Sequence, residues 1–374
     1  MSKVLSTFSP WSRHISKTVP LCRYFSQTTS SRKGISRKGI SRKGIPRLVA
    51  VAAEYTTTEA FRTRSFELEK PVVFAKDQGS PAANLPALEN WFMDEEEPYH
   101  TANTKTPRQP LSRHFRRFRN PMVTYEIYAP SQKQKDSLIM FRDSLDRDVH
   151  DDAIVRSWDN CFNQEAVVDG VVDETVNNIA NRDFYRFTAP LRLFNKIYHF
   201  NKVLLSMKLP RISLYIAQCP IEDLPKDLQD DLPTPKILKF VGKGDIYGTS
   251  IWLGLVPTYT PLHRDPNPNF FCQLSGDKIL RLMLPKAGQA LFGEIQAKMA
   301  KTDNGRLRTE DMMQGEEREK LHDAVWGDNE APAGLFEVVL EPGDSMFIPA
   351  GYWHSVKSVG WDGEVNCSAN WWFR

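Results

Sequence analysis

The stretch Tyr259-Thr260-Pro261-Leu262-His263-Arg264-Asp265-Pro266 sets an imidazole and a carboxylate two residues apart. On an extended chain such positions share a face, so His263 and Asp265 are presented side by side. A second histidine would complete two imidazoles and one carboxylate, the facial triad of non-haem Fe(II) oxygenases, which leaves one face of the metal open. The candidates are His14, His100, His114, His150, His199, His322 and His354. His354 differs from the rest in its surroundings. Glu341-Pro342-Gly343-Asp344 reads as a turn, Ser345-Met346-Phe347-Ile348 as a strand and Pro349-Ala350-Gly351 as a second turn, with His354 at the start of the next strand. That is a rigid support for a ligand. His-x-Asp alone is a common spacing, and two satisfied core histidines are the plain alternative.

Working outward, the chain around this stretch is a series of short apolar runs, at 212–217, 250–256, 269–274, 278–284, 336–340, 345–348, 353–356 and 365–373. Gly, Pro and Asp punctuate them, as in a β-sandwich or barrel. One charged segment, 287–332, interrupts the series and reads as a helical insertion. Upstream, Pro71-Val72-Val73-Phe74 suits a first strand and residues 122–128 alternate as a second. Residues 131–182 read as polar helix. Pro190 is expected in the first turn of an amphipathic helix reaching Met207.

With these residues in view, the pattern Leu-His263-Arg-Asp265, Gly343-Asp344, Pro349 and His354 resembles the JmjC or cupin-like oxygenases. The likeness is nearest to the small asparaginyl hydroxylases of proteins and to the transfer-RNA wybutosine hydroxylases. It covers roughly residues 60–374 and is most specific from Tyr215 onward. The resemblance implies a mainly β fold with flanking helices, a double-stranded β-helix. It also implies Fe(II) on His263, Asp265 and His354, with 2-oxoglutarate and O2 as cosubstrates. By position, Thr260 and Lys278 match residues that bind the far carboxylate of 2-oxoglutarate. Tyr215 and Asn269 match others at the cosubstrate. Asn370 matches an asparagine near the carboxylate at the metal, and Trp372 an aromatic lining the substrate pocket. Lys278 adds a physical argument, because it sits in the apolar run 278–284, where a buried cation needs an anion. Its alternative, with Arg281, is to snorkel to the surface.

The reaction implied is hydroxylation of a substrate C–H, with release of succinate and CO2. The sequence carries no Cys/His-rich reader module of the sort common in chromatin demethylases, which ranks demethylation lower. A protein or peptide substrate is favoured by the likeness, with RNA and small metabolites left open. The last strand ends at Arg374 without the helices that dimerise the asparaginyl hydroxylase, so that dimer is not carried over. The rival classes are a non-catalytic cupin-like adaptor, binding RNA or an acidic partner through basic segments, and a zinc-binding or isomerase cupin. An adaptor has no need of Thr260 or Lys278. The other cupins commonly add a histidine or glutamate beside the first pair, and Arg264, Pro266 and Asn267 supply neither.

The N-terminus has a different composition. The first acidic residue is Glu54, whereas basic residues, Ser and Thr abound before it. That is the composition of a mitochondrial transit peptide, and Arg23-Tyr24-Phe25-Ser26 resembles a matrix-protease site with the cut after Phe25. Ser-Arg-Lys-Gly-Ile occurs at 31–35, 36–40 and 41–45, low-complexity sequence with no core-forming pattern. Residues 1–55 are therefore expected to be a presequence and disordered basic linker, and 56–374 one domain. The expected address is the mitochondrial matrix, with a nuclear or RNA-binding arm as the alternative. A second basic cluster, Arg-His-Phe-Arg-Arg-Phe-Arg at 113–119, could grip phosphate or an acidic peptide, or be a solvated strand edge or loop anchored by its aromatics. The net charge of +3 argues for no nucleic-acid binder. Five cysteines with no Cys-x-x-Cys argue against a disulfide framework or zinc finger. No run approaches the ~20 apolar residues of a membrane span.

Overall fold

The computed structural model describes residues 45–51, 53–92, 111–145, 151–162, 167–168, 171–172, 182–299, 314–328 and 330–374. The segment expected to be a transit signal and most of the Ser-Arg-Lys-Gly-Ile repeats lie outside the described residues. The strands are β1 (Val72–Phe74), β2 (Met122–Tyr128), β3 (Val167–Val168), β4 (Val171–Val172), β5 (Phe184–Pro190), β6 (Leu214–Pro220) and β7 (Ile246–Leu255). After them come β8 (Tyr259–Arg264), β9 (Asn269–Ser275), β10 (Asp277–Met283), β11 (Leu335–Leu340), β12 (Ser345–Ile348), β13 (Trp353–Val359) and β14 (Val365–Phe373). An eight-stranded sheet has the order β1-β12-β9-β14-β7-β6-β2-β5, and a four-stranded sheet the order β11-β10-β13-β8. All named pairings are antiparallel. This is the double-stranded β-helix expected from the sequence.

The alternation of side chains along the strands explains how two sheets enclose a polar chamber. On β14, Cys367, Ala369, Trp371 and Phe373 enter the main hydrophobic core, so Ser368, Asn370 and Trp372 turn to the opposite face. On β9, Phe270, Cys272 and Leu274 enter the same core, which turns Asn269, Phe271 and Gln273 the other way. The helices Gln132–Ser144, Asp152–Phe162 and Arg192–Ser206 add their apolar faces to that core. The small sheet is backed by the helices Pro285–Lys298 and Gly315–Trp326, whose Phe292, Ile295, Leu321 and Val325 pack with Leu262, Met283, Leu335 and Trp353. These two helices, the described part of the charged insertion, cover the outer face of the small sheet.

The structure corrects several expectations. Pro190 closes strand β5 rather than opening a helix. β5 pairs with β2 along its full length, from Met122 opposite Pro190 to Tyr128 opposite Phe184, and that tertiary pairing overrides the helical reading. Among its described residues, the segment 131–182 holds the helices Gln132–Ser144 and Asp152–Phe162 and the antiparallel pair β3 and β4. The 113–119 cluster is neither strand nor plain loop: Ser112 caps a short helix, Arg113–Arg116, by accepting from the Phe115 N–H. Residues 45–51, which the sequence reading placed in the linker, pack against the domain. Ile45 is buried, and Arg47 and Val51 form parallel bridges to Glu337 and Phe74. Cys161, Cys219, Cys272 and Cys367 are free thiols. Among the described residues no helix is long and apolar enough to cross a membrane.

Candidate metal centre

His263 on β8 lies directly opposite His354 on β13, and opposed residues of an antiparallel pair project to the same side. Their ring centroids are 4.1 Å apart. Asp265 follows β8 by one residue, and its carbonyl accepts from the Gly351 N–H at 2.9 Å. That bond ties the turn before His354 to the segment after His263. Gly351 makes the turn at φ 75°, a conformation glycine adopts without a Cβ penalty. All three side chains are buried, and one ligand atom from each lies within 4.8 Å of the others.

The hydrogen bonds around the three side chains fix which atoms face a metal. The Nδ1 atoms of His263 and His354 lie 2.8 and 3.2 Å from the carbonyls of Pro261 and Tyr352. A carbonyl only accepts, so each Nδ1 carries a proton and Nε2 is the nitrogen turned to a metal. Asp265 Oδ2 accepts from Asn269 Nδ2 at 2.8 Å and from the Trp372 indole at 2.9 Å. Asn269 Oδ1 in turn accepts from Asn370 Nδ2 at 2.7 Å. Two imidazoles and one oriented carboxylate suit a divalent first-row ion such as Fe(II) with open positions. A cleft of about 290 Å³ lined by Arg264, Asp265, Pro266, Ala350 and Gly351 opens beside the set.

A cationic anchor lies on the same face of the small sheet. In the β10–β13 register Lys278, Leu280 and Leu282 oppose Ser358, Val356 and His354, so Lys278 faces the side that His354 faces. Lys278 is 1% exposed and donates to Ser368 Oγ at 2.7 Å. The rings of Phe271 and Tyr215 lie 5.5 and 6.0 Å from its ammonium. Among the described residues no carboxylate pairs with it, and burial draws its pKa down to about 7. Arg281 points to the opposite face, where Glu337 holds it in a buried ion pair at 3.0 Å. Snorkelling describes neither residue.

Between anchor and ligands runs a ladder on β14. Ser368 meets Lys278, Asn370 meets Asn269 and Trp372 meets Asp265. Successive rungs are ~7 Å apart, on the order of the length of a five-carbon dicarboxylate. Asn370 Oδ1 is buried without a donor, which leaves an acceptor for a hydroxylic or hydrated ligand. Residues and ligand chemistry therefore fit a divalent metal beside a dicarboxylate. Thr260 shares this face because of a register shift. The β8–β13 pairing slips between His354 and Val356, so Thr260 opposes Val356 while His263 opposes His354. Residues three apart ordinarily face opposite ways, and the bulge brings them to one side. Tyr215, Ala217, Trp252 and Trp372 form a buried cluster.

The structure thus gathers the expected site residues in one region, but redistributes their contacts. Asn269 was expected at the cosubstrate and Trp372 as a pocket wall, yet both donate to the Asp265 carboxylate. Ser368, Phe271 and Trp252 are additional members that the sequence reading missed. The signal for Ser368 was present, since Asn366, Ser368 and Asn370 place polar groups at every second position of an otherwise apolar run.

Two facing antiparallel sheets with a buried His-x-Asp and a histidine from a later strand define a double-stranded β-helix with a candidate metal site. The chain belongs to the cupin-like domain family, whose model matches residues 58–374. It is 28% identical over 150 residues to lysine-specific demethylase JMJ30 of Arabidopsis thaliana, a match covering 40% of this chain and 32% of that protein. It is 30% identical over 161 residues to lysine-specific demethylase 8 of Danio rerio, covering 42% and 36% respectively. It is also 28% identical over 155 residues to JmjC domain-containing protein D of Dictyostelium discoideum, covering 39% and 32%. The chain thus spans about a third of the length of these curated relatives.

Proposed function

We propose that this protein is an Fe(II)- and 2-oxoglutarate-dependent oxygenase that hydroxylates a C–H bond of a protein or peptide side chain. The observation that carries the reading is Lys278, a buried ammonium with no carboxylate partner among the described residues, on the face that also carries His263 and His354. When bound, iron and 2-oxoglutarate supply oxidative decarboxylation and an oxidant able to insert one oxygen atom of O2. The chain's own part is to hold and shield. The Nε2 atoms of His263 and His354 and the Asp265 carboxylate would hold the ion. Asn269 and Trp372 keep Asp265 turned, while Lys278, Ser368 and Thr260 would bind the far carboxylate. Trp252, Tyr215 and Phe271 provide apolar walls that exclude water from the chamber.

Two of the relatives carry the name lysine-specific demethylase, which supports N-methyl-lysine as a second substrate class, since the same C–H oxidation on an N-methyl group removes it. The test is succinate formation from 2-oxoglutarate with Fe(II) and ascorbate, lost in His263→Ala. A gain of one oxygen on a cellular protein in wild-type but not His263→Ala cells supports hydroxylation. Loss of a methyl group points to demethylation, and a product confined to RNA or a metabolite overturns the protein substrate. The acid-free, Ser-rich composition before Glu54 supports import into the mitochondrial matrix. A reporter fused to residues 1–44 that enters the nucleus instead would refute that address.

A further inference from the structure

The insertion helix Gly315–Trp326 brings a second charged site to the outer face of the small sheet. The Arg318 guanidinium lies 4.0 Å from the ring centroid of Tyr128 and 4.6 Å from that of Tyr259. His322, one turn on, sets Nε2 2.5 Å from Lys357 Nζ, and that ammonium also lies 4.7 Å from the Trp326 ring. These groups border a cleft of about 470 Å³. Arg281, which stacks on the other part of this wall against Trp326, is already paired with Glu337. The acids on the lining, Glu319 and Asp323, are exposed, and Asp323 reaches His322 Nδ1 at 3.3 Å. Glu126 offsets part of the charge of Arg318. Burial above all, and then the nearby Arg281 and Arg318, push Lys357 down to about 8, with Asp323 acting in the opposite direction.

We infer that this cleft is an anion site that takes a phosphoryl group, separate from the metal centre. Tyr259 and Lys357 are neighbours of Thr260 and Val356 on their strands, so their side chains point away from the metal chamber. Arg318 hydrogen-bonds to the Tyr128 side chain, the other N–H groups of its five-donor guanidinium remain to grip oxygen pairs, and an ammonium alongside adds a point charge. The volume exceeds that of inorganic phosphate and reaches that of small-ligand pockets, so the phosphoryl group could arrive free or as part of a nucleotide.

The experiment is calorimetric titration of the full chain with inorganic phosphate and, separately, adenosine monophosphate. Binding of both is expected, and Arg318→Gln and Lys357→Gln should each weaken it by roughly tenfold or more. Lys357→Gln leaves both tyrosines against Arg318, so a folding defect in Arg318→Gln does not remove the test. Tighter binding of the nucleotide assigns the rest of the cleft to its ester moiety, and equal binding assigns the site to free phosphate. The inference is overturned if neither probe binds, or if both variants bind like wild type. It also fails if Lys278→Met alone abolishes binding, which would move the anion to the chamber.

Discussion

At the scale of single residues, Lys278 couples ligand binding to protons. Its pKa falls to about 7 in the folded protein from the ordinary lysine value of 10.5. Above pH 7 the folded chain therefore holds it neutral while the unfolded chain keeps it charged, so this group makes stability rise with pH up to the ordinary lysine range. A dicarboxylate pairs with the charged form. Binding of 2-oxoglutarate to the metal-loaded protein at about pH 8 should thus take up close to one proton and weaken roughly tenfold per pH unit beyond it. Titration in two buffers of different ionisation heat reads the uptake, and Lys278→Met should abolish it. Lys357 titrates to about 8 on the other face of the small sheet, so uptake that survives in Lys278→Met would be assigned there. A second residue-scale prediction concerns Asp265. Trp372→Phe keeps the ring and removes the indole N–H that donates to Oδ2. Affinity for Co(II), read from its visible spectrum, should fall by about 10- to 100-fold. An unchanged affinity would make the indole a wall and nothing more.

At the scale of elements, the helix Pro285–Lys298 sets the position of a ligand-bearing strand through one close approach. A Cβ built on Gly288 would meet Trp353 at 2.2 Å from Cγ and 2.5 Å from Cβ, and Trp353 precedes His354. Gly288→Ala must therefore push the helix or the start of β13. We expect a loss of ~1–3 kcal/mol in denaturant unfolding, together with weaker Co(II) binding. Stability lost with metal affinity intact would show that the strand holds and the helix yields. This contact was not legible in the sequence, where Gly288 is one small residue in a charged insertion. What was legible has local causes. His263 and Asp265 share a face by spacing, His354 is framed by turn residues, and Lys278 is conspicuous in an apolar run. What was hidden depends on pairing partners. β5 forms only because β2 lies beside it, so Pro190 was read as a helix start. The bulge that aligns Thr260 with His263 exists only in the β8–β13 register. The bonds from Asn269 and Trp372 to Asp265 were hidden because those distances arise only when β9 and β14 close the chamber.

At the scale of the whole molecule, the boundary between the basic N-terminal arm and the domain has a physical test. Ile45 packs into the cluster with Leu262, Leu335 and Trp353. Beyond it, Leu48 N–H donates to the Glu337 carbonyl at 2.8 Å, Glu337 N–H to the Pro46 carbonyl at 2.9 Å and Val51 N–H to the Val73 carbonyl at 3.0 Å. Burying one isoleucine contributes ~1.5–3 kcal/mol and each bond ~1 kcal/mol. The segment 45–51 clips β11 to β1, although its basic, acid-free composition makes it look like more leader. A cut after Phe25, as the sequence suggests, would leave this clip in the mature chain. Deleting residues 1–44, which carry no core-forming pattern, should leave the unfolding midpoint where it is. Deleting residues 1–52 should lower unfolding free energy by on the order of 5 kcal/mol, read in urea at fixed temperature. Because β11 pairs with β10, which carries Lys278, the longer deletion should also weaken 2-oxoglutarate binding. If both deletions unfold alike, the parallel bridges at Glu337 and Phe74 contribute nothing and the domain begins after them.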